Sequence, residues 1–259
     1  MIEAVLVVFT NARPGREADF DDWYTNIHLR DALRFRGSIS AQRFRWSVRQ
    51  ADQSSGDFGW AYLALYDVFD ADRFTREHIE NALTTRMMVT DAIAADALND
   101  FHYFPLAFRD NDPGTPHMGG VVLELLNPAT GCEGAFRQWY QDEHMPERLR
   151  RPGVQSGAFL MFRPHGQLVE TLPDYTHVGI YRVDGRQDLD GWREQLDEAG
   201  TGLVDGDRCR ITCWDPITPR ITEDQVFFTD ADALAAEERA RSRMGNKVLT
   251  DRGSELRTH

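Results

Sequence analysis

The chain carries one pattern twice. "WYTNIHLRDALRFRG" begins at Trp23 and "WYQDEHMPERLRRPG" at Trp139, each a Trp-Tyr pair with a His five residues after the Trp and a Gly nine after the His. Sliding the sequence by 116 positions aligns residues 5–46 with 121–162 without a gap. The same register also pairs Val5 with Val121, Asn11 with Asn127, Gly15 with Gly131, Phe20 with Phe136, Leu33 with Leu149, Arg34 with Arg150 and Ser40 with Ser156. Coincidences gathered in one register constrain the fold more than composition does, because equivalent segments are expected to fold alike and pack as equivalents.

The match continues with a one-residue slip. "WAYLALYDV" (60–68) corresponds to "YTHVGIYRV" (175–183), and both alternate as strands do. Each leads into a polar, helix-compatible stretch, residues 70–98 in the first half and the shorter "DLDGWREQLDEAG" in the second. Each half then closes on a strand, "FHYFPLAF" (101–108) or "RCRITCWDPI" (208–217). With "MIEAVLVVFT" as a buried opening strand, and "SAQRFRWSV" and "GAFLMFRPH" as second strands, both halves read β-α-β-β-α-β, the ferredoxin-like order. One such unit covers a single sheet face with helices, so two can bury their bare faces together. The expectation is an α+β fold of two tandem ferredoxin-like βαββαβ units forming a pseudo-twofold α+β barrel. The repeats span 1–111 and 117–219, joined by the Pro- and Gly-dense "RDNDPGTPHMGG" (109–120). Residues 220–259 form a separate C-terminal helix and tail, with Asp230 or Asp232 as the cap and Gly245 as the stop.

Composition narrows the function classes. A net charge of −13 argues against nucleic-acid and anionic-membrane partners. No segment approaches the roughly 20 apolar residues that span a bilayer. Three cysteines, Cys132, Cys209 and Cys213, lack paired spacing and read as small buried hydrophobes in a reduced, cytoplasmic protein. No HExxH, HxH or phosphate-loop pattern occurs, so no metal and no nucleotide cofactor is expected.

Phe136, Tyr140 and His144 are spaced i, i+4, i+8 on one helix, as are Phe20, Tyr24 and His28. Pro146 predicts a break near Met145, which would leave His144 at a helix C-terminus. The first half has Arg30 at that position, so His28 is expected in an unbroken helix and the halves to differ chemically.

The second copy, with Trp139, Tyr140, His144, Pro146, Leu149, Pro152 and Gly153, resembles the W-Y-x-x-x-H-x-P-x-x-L-x-x-P-G pattern of EthD-like members of the dimeric α+β barrel superfamily. The first copy keeps Trp23, Tyr24, His28, Leu33 and Gly37 but lacks both prolines. The resemblance covers roughly residues 1–219. It implies the barrel fold, and a reaction class drawn from cofactor-free monooxygenases, cyclases, isomerases, dehydratases and haem enzymes.

Acid-base chemistry needs a titratable group at the pocket wall, and histidine is the usual choice. His28, His144, His177 and Tyr62 are the catalytic candidates, with Tyr24, Tyr140, His102 and Trp60 as substrate contacts. His177 and Tyr62 hold equivalent places on the third strands; a histidine in an apolar strand needs a partner or a pocket. Against this, a motif histidine present in both halves can simply fix the fold, and Trp23 and Trp139 read as core anchors. Asp31 and Glu147, three residues after each motif histidine, are placed to orient it. His78 falls in the polar second helix and reads as solvated. The expected activity is a cofactor-independent lyase, isomerase or cyclase acting on a hydrophobic, aromatic or polyketide-like small molecule. The alternatives are a cofactor-free monooxygenase and a non-catalytic binding module. The tail offers an arm for a homodimer, set against a plain surface helix with a frayed end.

Overall fold

A computed structural model of the protein describes residues 1–51, 58–83, 87–111, 119–185, 189–227 and 231–244. Most of the Pro- and Gly-dense stretch 109–120, His117, Asp230, Gly245 and the residues beyond fall outside the described residues.

The opening apolar run forms β1 (Ala4–Ala12), followed by a helical path of α1 (Glu17–Trp23), a π turn (Tyr24–His28) and α2 (Leu29–Leu33). Next come β2 (Ser38–Trp46), β3 (Tyr62–Val68), α3 (Ala71–Leu83) and β4 (Ile93–Asp110). The order then recurs as β5 (Val121–Leu126), α4 (Glu133–Trp139), a second π turn (Tyr140–His144), α5 (Met145–Leu149), β6 (Val154–Phe162), β7 (His177–Val183), α6 (Trp192–Ala199) and β8 (Arg210–Pro216). A two-residue β9 (Ile221–Thr222), α7 (Glu223–Phe227) and α8 (Ala231–Met244) complete the described chain.

The first four strands lie in the order β4-β1-β3-β2 and the second four in the order β8-β5-β7-β6, all antiparallel. Contacts of β4 with β6 and of β2 with β8 join the two sets edge to edge into a closed eight-stranded barrel. Closure leaves no unpaired edge for another chain to extend. Side chains alternate along each strand. One set, including Val5, Leu65, Leu123, Leu160 and Ile180, packs together in the lumen. The other set packs outward in two separate cores, around Phe20, Tyr24 and Phe74 and around Phe136, Tyr140 and Trp192.

Two expectations about local structure are corrected. The helix after β3 stops at Leu83, and Ile93 onward is strand. The Ala-rich stretch favours helix intrinsically, but pairing of Ile93 with Ala12 and of Leu98 with Thr10 overrides that weak preference. Nor does Pro146 end the helix at His144. The Met145 amide donates to the Tyr140 carbonyl and the Leu29 amide to the Tyr24 carbonyl, so both copies make the same i→i+5 turn. That turn already interrupts the i→i−4 ladder, and the missing proline donor falls where α5 begins. Arg30 supports the same turn without proline, so the backbone path does not distinguish the halves.

The tail folds back on its own chain. Arg30 and Arg34 donate to Glu237 at 2.9 and 2.8 Å, and Arg241 of α8 bridges Glu237 and Asp31. Asp31 is therefore spent on arginines and on the Met88 amide, not on orienting His28. Its counterpart Glu147 is exposed. Both are corrections to the orienting role expected of them. The two motif tryptophans are buried, and Trp23 Nε1 donates to the Met88 carbonyl at 2.8 Å.

Candidate functional site

Strand register puts the same grid of side chains under each helical layer. In the first half one row runs Ala41, Tyr66, Leu6, His102 and the next runs Arg43, Ala64, Val8, Asp100. In the second half the matching rows are Gly157, Tyr181, Val122, Cys213 and Phe159, Gly179, Glu124, Ile211. The carboxylates of these rows thus sit on different strands, Asp100 on β4 in one half and Glu124 on β5 in the other.

The second half is closed by its own hydrogen bonds. Glu124 is fully buried. Its Oε2 accepts from the Tyr140 hydroxyl at 2.6 Å and lies 2.9 Å from His144 Nε2. Its Oε1 accepts from Arg148 Nε and from Trp192 Nε1, both at 2.8 Å. The Tyr140 and Tyr181 hydroxyls meet at 2.8 Å, and Arg148 further donates to Gln195 and to the Trp192 carbonyl. Burial alone would push this carboxyl up. His144 and Arg148 beside it, with the Tyr140 hydrogen bond, hold it well below the usual carboxylate range. Tyr140 can lie across the strand because Gly179 leaves room: a Cβ there would meet the phenol oxygen at 1.9 Å. Both carboxylate oxygens are engaged twice, which fits a structural role for His144.

The first half has the same motif with the centre missing. Val8 replaces Glu124 and Ala32 replaces Arg148. The Tyr66 hydroxyl still donates to Tyr24 Oη at 3.2 Å, and the Arg43 guanidinium lies 4.4 Å over the Tyr24 ring. His28 stacks on Trp23 at 4.6 Å and meets Tyr24 edge-on at 4.9 Å, but Nδ1 has no partner. His78, expected in solvent, instead turns inward from α3 to lie 5.8 Å from the His28 ring, with its own Nδ1 unpartnered. His102 is fully buried at 6.0 Å from Phe74, which also touches His78; neither of its ring nitrogens reaches a partner at full hydrogen-bonding geometry. Unpaired buried polar atoms cost about 1–3 kcal/mol each, so several together call for an explanation.

Protonation states follow from the same burial. It drives His78 and His102 down to about 4, and holds His28 well below the ordinary imidazole value together with the charges of His78 and Arg43. Asp100 is pushed up to about 7 by burial, with no side-chain partner to offset it among the described residues. Burial raises Tyr24 to about 12, with Asp100 adding to the effect. Neutral imidazoles and a carboxyl that titrates near neutrality, on the same helix-covered face of the half-sheet, are groups suited to moving protons. His28, His78 and Asp100 are each partly exposed.

The structure therefore gathers His28, Tyr24 and His102 into one cluster and places Tyr62 at its edge, 4.8 Å from Phe20. His144 and Tyr140 belong to the Glu124 network. His177 lies apart, between Phe136 and Phe159, with Nδ1 3.0 Å from Thr176 Oγ1, Nε2 unpartnered and burial lowering it to about 4. Trp60 packs on the lumen side, 6.3 Å from Phe9. The sequence singles out neither Asp100 nor Glu124, and it places His78 in solvent. A lone carboxylate inside the apolar "VVLELL" was the available signal for Glu124. Among the described residues, no three His, Cys, Asp or Glu side chains converge as a metal site.

Closed barrels of this construction are known. The chain superposes on an anthrone oxidase-like protein with a TM-score of 0.58, at 12% identity over 86% of this chain and 93% of that one. What the two share is a mixed α+β fold, a closed eight-stranded antiparallel barrel covered by helices. A candidate monooxygenase from Fusobacterium nucleatum subsp. nucleatum gives a TM-score of 0.53 at 7% identity, covering 85% of this chain and 97% of its own. At such identities the likeness concerns the fold. No family model matches the chain, and no curated protein matches it. Within the described residues, no helix of the barrel is long and apolar enough to cross a membrane.

Proposed function

We propose that the protein is a cofactor-independent, cytoplasmic small-molecule enzyme whose working site lies between the helices and the sheet of the first half. Its two halves are read as tandem ferredoxin-like units, of which the second has become the structural one. One observation carries the assignment: His28, His78 and His102 keep unpartnered buried nitrogens around one surface, while the equivalent surface of the second half is filled by Glu124. In this reading Asp100 or a neutral imidazole removes a proton from a carbon acid or phenol. Tyr24 and Tyr66 donate toward the oxygen that gains charge. Aromatic walls from Trp23, Phe74 and Tyr24 favour a hydrophobic, aromatic or polyketide-like substrate. Reprotonation elsewhere gives an isomerase, and expulsion of a leaving group gives a lyase or cyclase.

A second reading shares the first step. The names of the two structural neighbours favour a monooxygenase, in which the same carbanion passes electrons to dioxygen. For a methylene substrate the balance is one dioxygen consumed, with a carbonyl and one water formed. Hydroxyaryl ketones and anthrone-like compounds in deuterated buffer test both readings at once. Deuterium entering the acidic C–H position without oxygen uptake supports the isomerase or lyase, and stoichiometric oxygen uptake supports the oxygenase. Binding with neither leaves the chain a carrier. If folded Asp100→Asn, His28→Ala and His102→Leu proteins all keep full turnover, the site is misplaced.

A further inference from the structure

The barrel lumen holds a second, unrelated chemistry at one end. Most inward side chains are apolar, but Ser40 and Gln42 of β2, Asp67 of β3, Ser156 of β6 and Arg182 of β7 cluster where β1 begins and β7 ends. Arg220, just before β9, reaches in to join them. A cavity of about 380 Å³ opens there, with Val5, Leu65, Ala158, Leu160 and Ile180 below and Arg182, Arg220 and Asp67 on its wall. Asp110 and Phe108 border it from β4.

The two arginines are not equivalent. Arg220 is neutralised: Nη2 meets Asp67 at 2.5 Å, Nε donates to Ser40 Oγ at 2.9 Å, and Ser40 itself donates to the same Asp67 oxygen at 2.6 Å. Arg182 is held by a neutral group, donating through Nη1 to Gln42 Oε1 at 2.8 Å, while Gln42 is fixed by the Thr218 carbonyl at 3.1 Å. A largely buried guanidinium bonded to an amide is positioned without an ion pair of its own, and the Asp67 carboxylate whose charge reaches it is already shared by Arg220 and Ser40. The planar fork of arginine suits a carboxylate, and the apolar floor beneath it suits a hydrocarbon body. A volume of about 380 Å³ falls within the range of small-molecule pockets.

We propose that this end of the barrel binds a small amphipathic carboxylate, with Arg182 holding the carboxylate and Val5, Leu65, Leu160 and Ile180 enclosing its apolar body. The site is separate from the histidine cluster, which lies on the opposite face of the sheet, and does not depend on the activity assigned to it.

Calorimetric titration of the full chain with octanoate, 1-octanol and octylammonium tests this. Octanoate should bind at least tenfold more tightly than octanol, and octylammonium should not bind. Arg182→Met should remove at least tenfold of the octanoate affinity and erase the preference. Ala158→Phe, which fills the floor, should abolish binding of both octanoate and octanol, whereas His102→Leu should change neither. Equal affinity for octanoate and octanol, absence of octanoate binding at millimolar concentration, or full affinity in Ala158→Phe overturns the proposal. The wild-type comparison decides the matter even if Arg182→Met does not fold.

Discussion

Val8 and Glu124 occupy the same point on the two half-sheets, each flanked by the small residue of the neighbouring strand, Ala64 or Gly179. One is a methyl-bearing side chain and the other a carboxylate with four donors around it. This difference decides whether the surrounding motif residues are satisfied or left open, because Tyr, His and the π turn are common to both halves.

Replacing Glu124 by Gln should cost about 3 kcal/mol or more of stability, since it strips the buried Arg148 of its charge partner. Denaturant unfolding measures it. Glu124 titrates below its unfolded value, so its contribution is complete above about pH 4.5 and fades as pH falls toward the folded value. The E124Q protein should therefore lose less stability than wild type on acidification below pH 4.5. Activity per folded molecule should be unchanged.

The opposite pattern is expected at His102. Its ring is a buried polar group whose contact with the Gly166 backbone falls short of full hydrogen-bond geometry, so His102→Leu should raise stability by about 1 kcal/mol while activity falls. Thermal unfolding and turnover, measured on the same preparation, check the two signs together. A destabilised, active variant would assign the ring to packing.

Asp100 gives the pH dependence. With its folded value near 7, activity that needs the carboxylate should rise through about pH 7, and Asp100→Asn should abolish it. The stability sign is independent of activity. A carboxyl raised in the fold contributes below its ordinary value near 4 and loses that contribution as pH rises through 7. Asp100→Asn should thus be more stable than wild type at pH 8 and no more stable at pH 3.5.

At Glu237 the expectation is mechanical. Three arginines converge on this carboxylate, which is held down to about 2 by them against the effect of burial. Its contribution is present above about pH 4.5 and lost as pH falls toward 2. Glu237→Gln should speed hydrogen exchange and proteolysis in α8 at neutral pH while the barrel strands stay protected.

The sequence made the strands of the barrel legible through periodicity. β2, β3, β6 and β7 fall where alternation places them, and Trp23 and Trp139 anchor helices as their spacing implies. Two things escaped it. Local propensity misread residues 93–98, because strand pairing with β1 is a long-range effect. The charged partners of the motif, Glu124 and Asp100, lie on strands far from it in the chain. No spacing rule links Glu124 to Trp192 or Asp100 to Tyr24. Identical motif residues hid opposite surroundings, and only the grid of strand neighbours separates them.

The barrel is closed by strands of a single polypeptide. An assembly of two identical chains would have to accept every substitution twice, once in each symmetry-related place. Valine at one position and glutamate at its counterpart could not coexist there. Covalent linkage lifts that requirement, so one half can be tuned for rigidity while the other tolerates frustrated imidazoles.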